Sequence, residues 1–157
     1  VAIGKAEYQV KNFNVEEARE VIKIRPQNLS LNEMYLVANT YSNGSQEFID
    51  VFETAVRLFP EDDVARLNAA AAALSRRDTI TAERYLGLVK QKGLPEYANA
   101  AGVLALLKGD YDTAARFLQA AMNAGLEVAG KNMEELEKKR INAIEINSRV
   151  NNKQTNQ

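Results

Sequence analysis

Two stretches of this chain, RDTITAERYLGLV from Arg77 to Val89 and GDYDTAARFLQAA from Gly109 to Ala121, are laid out alike. Asp78 and Asp110 lie 32 residues apart; four residues past each comes Ala82 or Ala114, then Leu86 or Leu118 after four more, then Val89 or Ala121 after three. Counting back 34 from Leu86 and Val89 lands on Phe52 and Ala55, with Pro60 five further on. Leu36, Ala70 and Gly102 hold equivalent earlier places at steps of 34 and 32. A period of 32 to 34 constrains the fold severely: each unit is one supersecondary element too small to bury its own apolar face, so units must stack.

Within a period, apolar residues recur at three- and four-residue spacing, which predicts helices. LNEMYLVANTY and QEFIDVFETAVRLF are parted by the breaker SNGS; VARLNAAAAALSRR pairs with TAERYLGLVKQ, and PEYANAAGVLALLK with YDTAARFLQAAMNA. Asn14 with Glu17, and Ser30 with Glu33, predict reciprocal helix caps, and Pro26 predicts the end of a first helix. In VAIGKAEYQVKNF the alternation of Ala6, Tyr8 and Val10 with polar neighbours has the two-residue period of a half-buried strand. Near the other end, Asn132 with Glu135 predicts a further cap, followed by a broken apolar stripe of Met133, Leu136, Ala143 and Ile144.

Asp110 and Asp112, directly after Gly109, invite comparison with a cation-binding loop. A calcium loop needs five or six oxygen ligands over about twelve residues, and after Asp112 no acid occurs before Glu127. The expectation is a turn and cap: Gly109 supplies a positive φ and Asp110 caps the next helix, as Asp78 does in the preceding copy.

With small residues where paired helices cross, the third unit (Gly102, Gly109, Asp110, Tyr111, Ala114, Leu118, Ala121) resembles the tetratricopeptide (TPR) family closely. The second unit (Ala70, Asp78, Ala82, Leu86, Val89) does so moderately. The first offers Leu36, Phe52, Ala55 and Pro60 but sets Phe48 where a small crossing residue belongs. The resemblance implies an all-α fold, a right-handed superhelix of stacked antiparallel helix pairs. It divides the chain into an extended arm or last strand of an upstream domain at 1–13, an N-terminal helix at 14–28, three helix pairs at 29–126, a C-terminal capping helix at 127–150 and a disordered tail at 151–157.

The same resemblance implies a concave groove lined by the first helices, at Glu33, Val37, Tyr41, Leu67, Ala71, Leu74, Asn99, Val103 and Leu106. None of these is Lys or Arg, which argues against the grip on a C-terminal carboxylate used by chaperone-binding members. A largely apolar groove is expected to hold a hydrophobic segment of a protein partner or of the chain's own upstream domain.

The chain has no Cys, His or Trp, so thiol or imidazole catalysis, Cys/His metal sites and disulfides are excluded. No acid pair has the apolar setting that raises a carboxyl pKa, so no catalytic residue, cofactor or metal is expected. A formal net charge of −1 offers no basic field for nucleic acid. No apolar run is long enough to insert in a membrane. The chain begins at Val1, which predicts a piece of a longer protein. Residues 8–60 also resemble the C-terminal helical region of Bacteroidetes cell-surface proteins, which implies a cell-envelope location. A noncatalytic interaction module is therefore the leading expectation, with a purely structural C-terminal domain as the alternative.

Overall fold

A computed structural model describes residues 13–156; the predicted extended segment at 1–13 falls outside it except for Phe13, which packs on the first core cluster. Among the described residues the fold is all-α. It consists of α1 (Val15–Ile24), a 3₁₀ turn (Pro26–Asn28), α2 (Leu31–Ala38), α3 (Gln46–Leu58), α4 (Asp63–Ser75), α5 (Thr79–Leu88), α6 (Pro95–Leu107), α7 (Tyr111–Asn123) and α8 (Glu127–Thr155).

Side-chain caps account for most of these starts. Asn14 Oδ1 accepts the backbone N–H groups of Glu16 and Glu17, and Ser30 and Glu33 close the reciprocal pair, with Glu33 N–H on Ser30 Oγ and Ser30 N–H on Glu33 Oε1. Asp62, Asp78 and Asp110 each accept from the N–H three residues on, at 2.9, 3.1 and 3.2 Å. Pro26 stops α1 at Ile24, so residues 14–28 form a ten-residue helix plus a separate turn rather than one helix. Gly109 has a φ of +80° as the turn requires, and Arg77 takes the same left-handed conformation at +59° in the preceding copy.

Consecutive helices pack as hairpins, α2 on α3, α4 on α5 and α6 on α7, and the first helices also meet, α4 with α6 and α6 with α8. The close approach of each pair rests on missing side chains. A Cβ on Gly102 would stand 2.7 Å from Leu118 Cγ and 3.3 Å from the Leu118 backbone nitrogen, so α6 and α7 touch where the repeat places its crossing. Ala70, Ala82 and Ala114 are fully buried at the matching places. In the first hairpin Phe48 fills the crossing and stacks edge-on against Phe52 with centroids 4.7 Å apart, while Leu36 is half-buried. There α2 has only eight residues, leaving room for an aromatic core in place of a tight crossing.

The last helix differs most from expectation. Residues 127–150 and the disordered tail at 151–157 were the predicted division, but α8 runs 29 residues to Thr155. Asn132, predicted to cap a helix start, lies inside α8, which begins at Glu127 and passes through Gly130. No proline follows Gly130 to interrupt the hydrogen-bond ladder, which is why the polar end continues as helix. α8 begins 32 residues after Pro95, itself 32 after Asp63, so it occupies the place of a fourth first helix. At its crossing position, 32 residues past Gly102, stands the exposed Glu134. A glutamate there does not offer the close contact that Gly102 gives α7. Among the described residues no helix is long and apolar enough to cross a membrane.

Two helix-interior glycines test this packing by contrast. Gly102→Ala is predicted to destabilise by about 1–3 kcal/mol despite alanine's better helix propensity, because the new methyl overpacks against Leu118. Gly87→Ala, whose Cβ meets nothing within 4 Å, is predicted to stabilise by about 0.5–1 kcal/mol. Urea denaturation of both variants decides; a Gly102→Ala protein as stable as Gly87→Ala would contradict the close crossing.

Candidate docking surfaces

The nine predicted groove positions are not an open surface. Val37, Leu67, Ala71, Leu74, Asn99, Val103 and Leu106 are all buried, and only Glu33 and Tyr41 are half-buried. Leu67, Leu74 and Val103 share one core cluster, where α4 packs against α6. Val37 belongs to the cluster of α1–α3, and Leu106 to that of α6–α8. Asn99, 4% exposed, accepts at Oδ1 a hydrogen bond from Asn132 Nδ2 of α8 at 2.9 Å. Glu33 is held by its own helix cap, and Tyr41 lies under the Arg19 guanidinium, 4.8 Å from its ring centroid. Seven of the nine positions are therefore packed among the molecule's own helices, in part where α4 and α6 meet.

Of the two aspartates that suggested a cation loop, Asp110 caps α7, and bonds from Thr113 hold its carboxyl below the usual carboxylate range. Asp112 pairs across to Arg140 of α8 at 3.3 Å. No group of three or more His, Cys, Asp or Glu side chains that could hold a metal ion occurs among the described residues.

The densest polar cluster instead fastens α4 to the α5–α6 connection. Arg66, 4% exposed, donates from Nη1 to the Leu88 carbonyl at 2.7 Å and to Asp63 Oδ1 at 3.2 Å. Asp63 also accepts the backbone N–H of Lys90 at 3.0 Å and of Gln91 at 2.9 Å. Lys90 Nζ meets Glu61 at 2.8 Å. Backbone donation by Lys90 and Gln91 lowers the Asp63 pKa, and Lys90 lowers that of Glu61. Every carboxylate here already has its donors, and together they fasten α4 to the α5–α6 connection.

Among the described residues an apolar cleft lies open. It lies between α5 and α7 with α6 as its floor, and measures about 330 Å³. Leu86, Tyr97, Ala101, Leu104, Ala105 and Phe117 line it; Tyr97 and Phe117 meet edge-on with centroids 6.4 Å apart. The rim carries Glu83, Lys108, Asp110 and Thr113, and Lys108 reaches Glu83 at 3.3 Å. The cleft exists because α5 ends at Leu88, after ten residues against thirteen in α7, and because Gly87 on its wall has no side chain to fill it. A missing side chain leaves little trace in a sequence; a glycine inside an otherwise regular helix is the one available signal. No family model, curated protein or solved structure matches this chain.

Asp63 sets a pH dependence whose sign is fixed. Its folded pKa is depressed, so its contribution is fully present above the unfolded value of about 3.9 and is lost as pH falls through the folded value. The stability gap between wild type and Asp63→Asn is predicted to be constant from neutrality to about pH 5 and to shrink below about pH 4. Urea midpoints at a series of pH values measure it, and a gap that persists unchanged at the acid end would contradict the fastening role.

Proposed function

We propose that this chain is a noncatalytic helical-repeat module, TPR-like in arrangement, that docks an apolar side-chain anchor of a polypeptide between α5 and α7. The supporting observation is the cleft itself: apolar walls and floor, a charged rim, and a volume of about 330 Å³. That volume is at the lower end of ligand pockets, which span roughly 300–1,000 Å³, and suits one or two side chains better than a cofactor. Docking is thereby moved from the inner groove expected of the repeat family to the side where successive second helices diverge. The resemblance of residues 8–60 to Bacteroidetes surface proteins supports a place in the cell envelope, within a larger protein.

The second reading, a structural domain that packs on its own upstream part, draws support from the burial of seven of the nine inner positions. It places the working surface elsewhere, on the half-buried residues around Tyr41 and Phe13 at the α1 end.

Phage selection from a random peptide library separates the two readings. Peptides with an aliphatic or aromatic anchor are predicted to bind wild type with a Kd of about 10–100 µM and to lose at least about tenfold on Gly87→Phe, which fills the cleft from its wall. Circular dichroism of Gly87→Phe is predicted to match wild type. Selected peptides that bind both proteins equally, or a library that yields none, would exclude the cleft as the docking site.

A further inference from the structure

Among the described residues, α8 carries a further apolar feature without a partner. Beyond Leu136 no residue of α8 is buried, and 141–155 leaves the body as a free helical segment, about 22 Å long at 1.5 Å per residue. Ala143, Ile146 and Val150, at spacings of three and four, share one face of it; Ile146 is 59% and Val150 48% exposed. Lys139, four residues before Ala143, and Lys153, three after Val150, bracket that stripe on the same face.

Charge is divided to match. Residues 137–157 hold five basic and two acidic side chains, a net of +3, which leaves −4 on residues 1–136 because the whole chain carries −1. The cleft belongs to the acidic part: its rim has the carboxylates of Glu83 and Asp110 against the single ammonium of Lys108. An apolar stripe flanked by lysines is thus matched, within one sequence, by an apolar cleft whose rim carries one more carboxylate than ammonium.

The two cannot meet inside one molecule. Ala129 and Leu136 seat the first part of α8 on α6 and α7, and the helix runs unbroken to Thr155, so its free part cannot turn back toward α5. We infer that the cleft receives the Ala143–Ile146–Val150 face of α8 from a second copy of this chain, an amphipathic helix laid in a helical groove. This inference rests on the cleft being a docking surface, and it names the occupant. The flanking lysines add an electrostatic component that salt weakens.

Sedimentation equilibrium over about 5–200 µM protein tests it. Wild type is predicted to self-associate in that range, with association weakened at least about threefold between 50 mM and 500 mM salt. Ile146→Glu and Gly87→Phe are each predicted to be monomeric. Ile146→Glu lies on a solvent-exposed position and Gly87→Phe projects into open space, so both proteins should retain wild-type thermal melts. An equimolar mixture of the two restores one intact contact, the cleft of the first with the stripe of the second, and heterodimer is predicted to reappear. A monomeric wild type at the highest concentration, a Gly87→Phe protein that associates like wild type, or a mixture that stays monomeric would each overturn the inference. Peptide binding to the cleft by a protein that remains monomeric would reject the second copy while leaving the docking surface intact.

Discussion

The packing of α6, α7 and α8 depends on the contact between Gly102 and Leu118. The glycine has no side chain, and the leucine, fully buried, takes the space a Cβ would need. That contact sets how near α6 and α7 lie, and therefore how much apolar surface each hairpin leaves for its neighbours. Ala98, Ala105, Ala114, Ala121 and Ala129 gather around it into the cluster that also takes in Leu136 of α8. Small side chains bring the helices together; the few large ones, Leu118 and Leu136, fill what remains.

The same economy explains which surfaces are open. The alanine-rich α4 and α6 pack against each other, and the inner positions they carry are buried in the core. Second helices are shorter or longer as their caps dictate, so α5 falls short of α7 and a cleft opens beside Gly87. α8 keeps the repeat spacing but carries Glu134 at its crossing position, where α6 has Gly102. Its remaining length leaves the body as a basic, partly apolar helix. The cleft and the projecting helix are thus two consequences of where small residues are present and where they stop.

Local signals made much of this readable from the sequence. Asn14, Ser30, Asp78 and Asp110 announced their helices because a cap is a bond between residues two or three apart. The period of 32 announced the crossings at Ala82, Gly102 and Ala114 because every unit solves the same packing problem. What escaped was non-local or negative. Asp63 has as its main donors the backbones of Lys90 and Gln91, 27 and 28 residues away, a link that no local pattern marks. Asn99 read as a groove residue, and only the path of α8 shows it bonded to Asn132. Asn132 read as a helix start because its local preference favours one, and the packing of Ala129 and Leu136 on either side overrides it. The cleft is an absence of atoms, and Gly87 is the one residue that hints at it.

The closeness of α6 and α7 is tested most directly by a double-mutant cycle at Gly102 and Leu118, read by urea denaturation of four proteins. In the Leu118→Ala background the clashing atoms are gone, so adding Gly102→Ala is predicted to be neutral or stabilising, whereas in wild type it destabilises. The coupling between the two positions is predicted to be at least about 1 kcal/mol. Additivity, with Gly102→Ala costing the same in both backgrounds, would contradict a fold built on that contact.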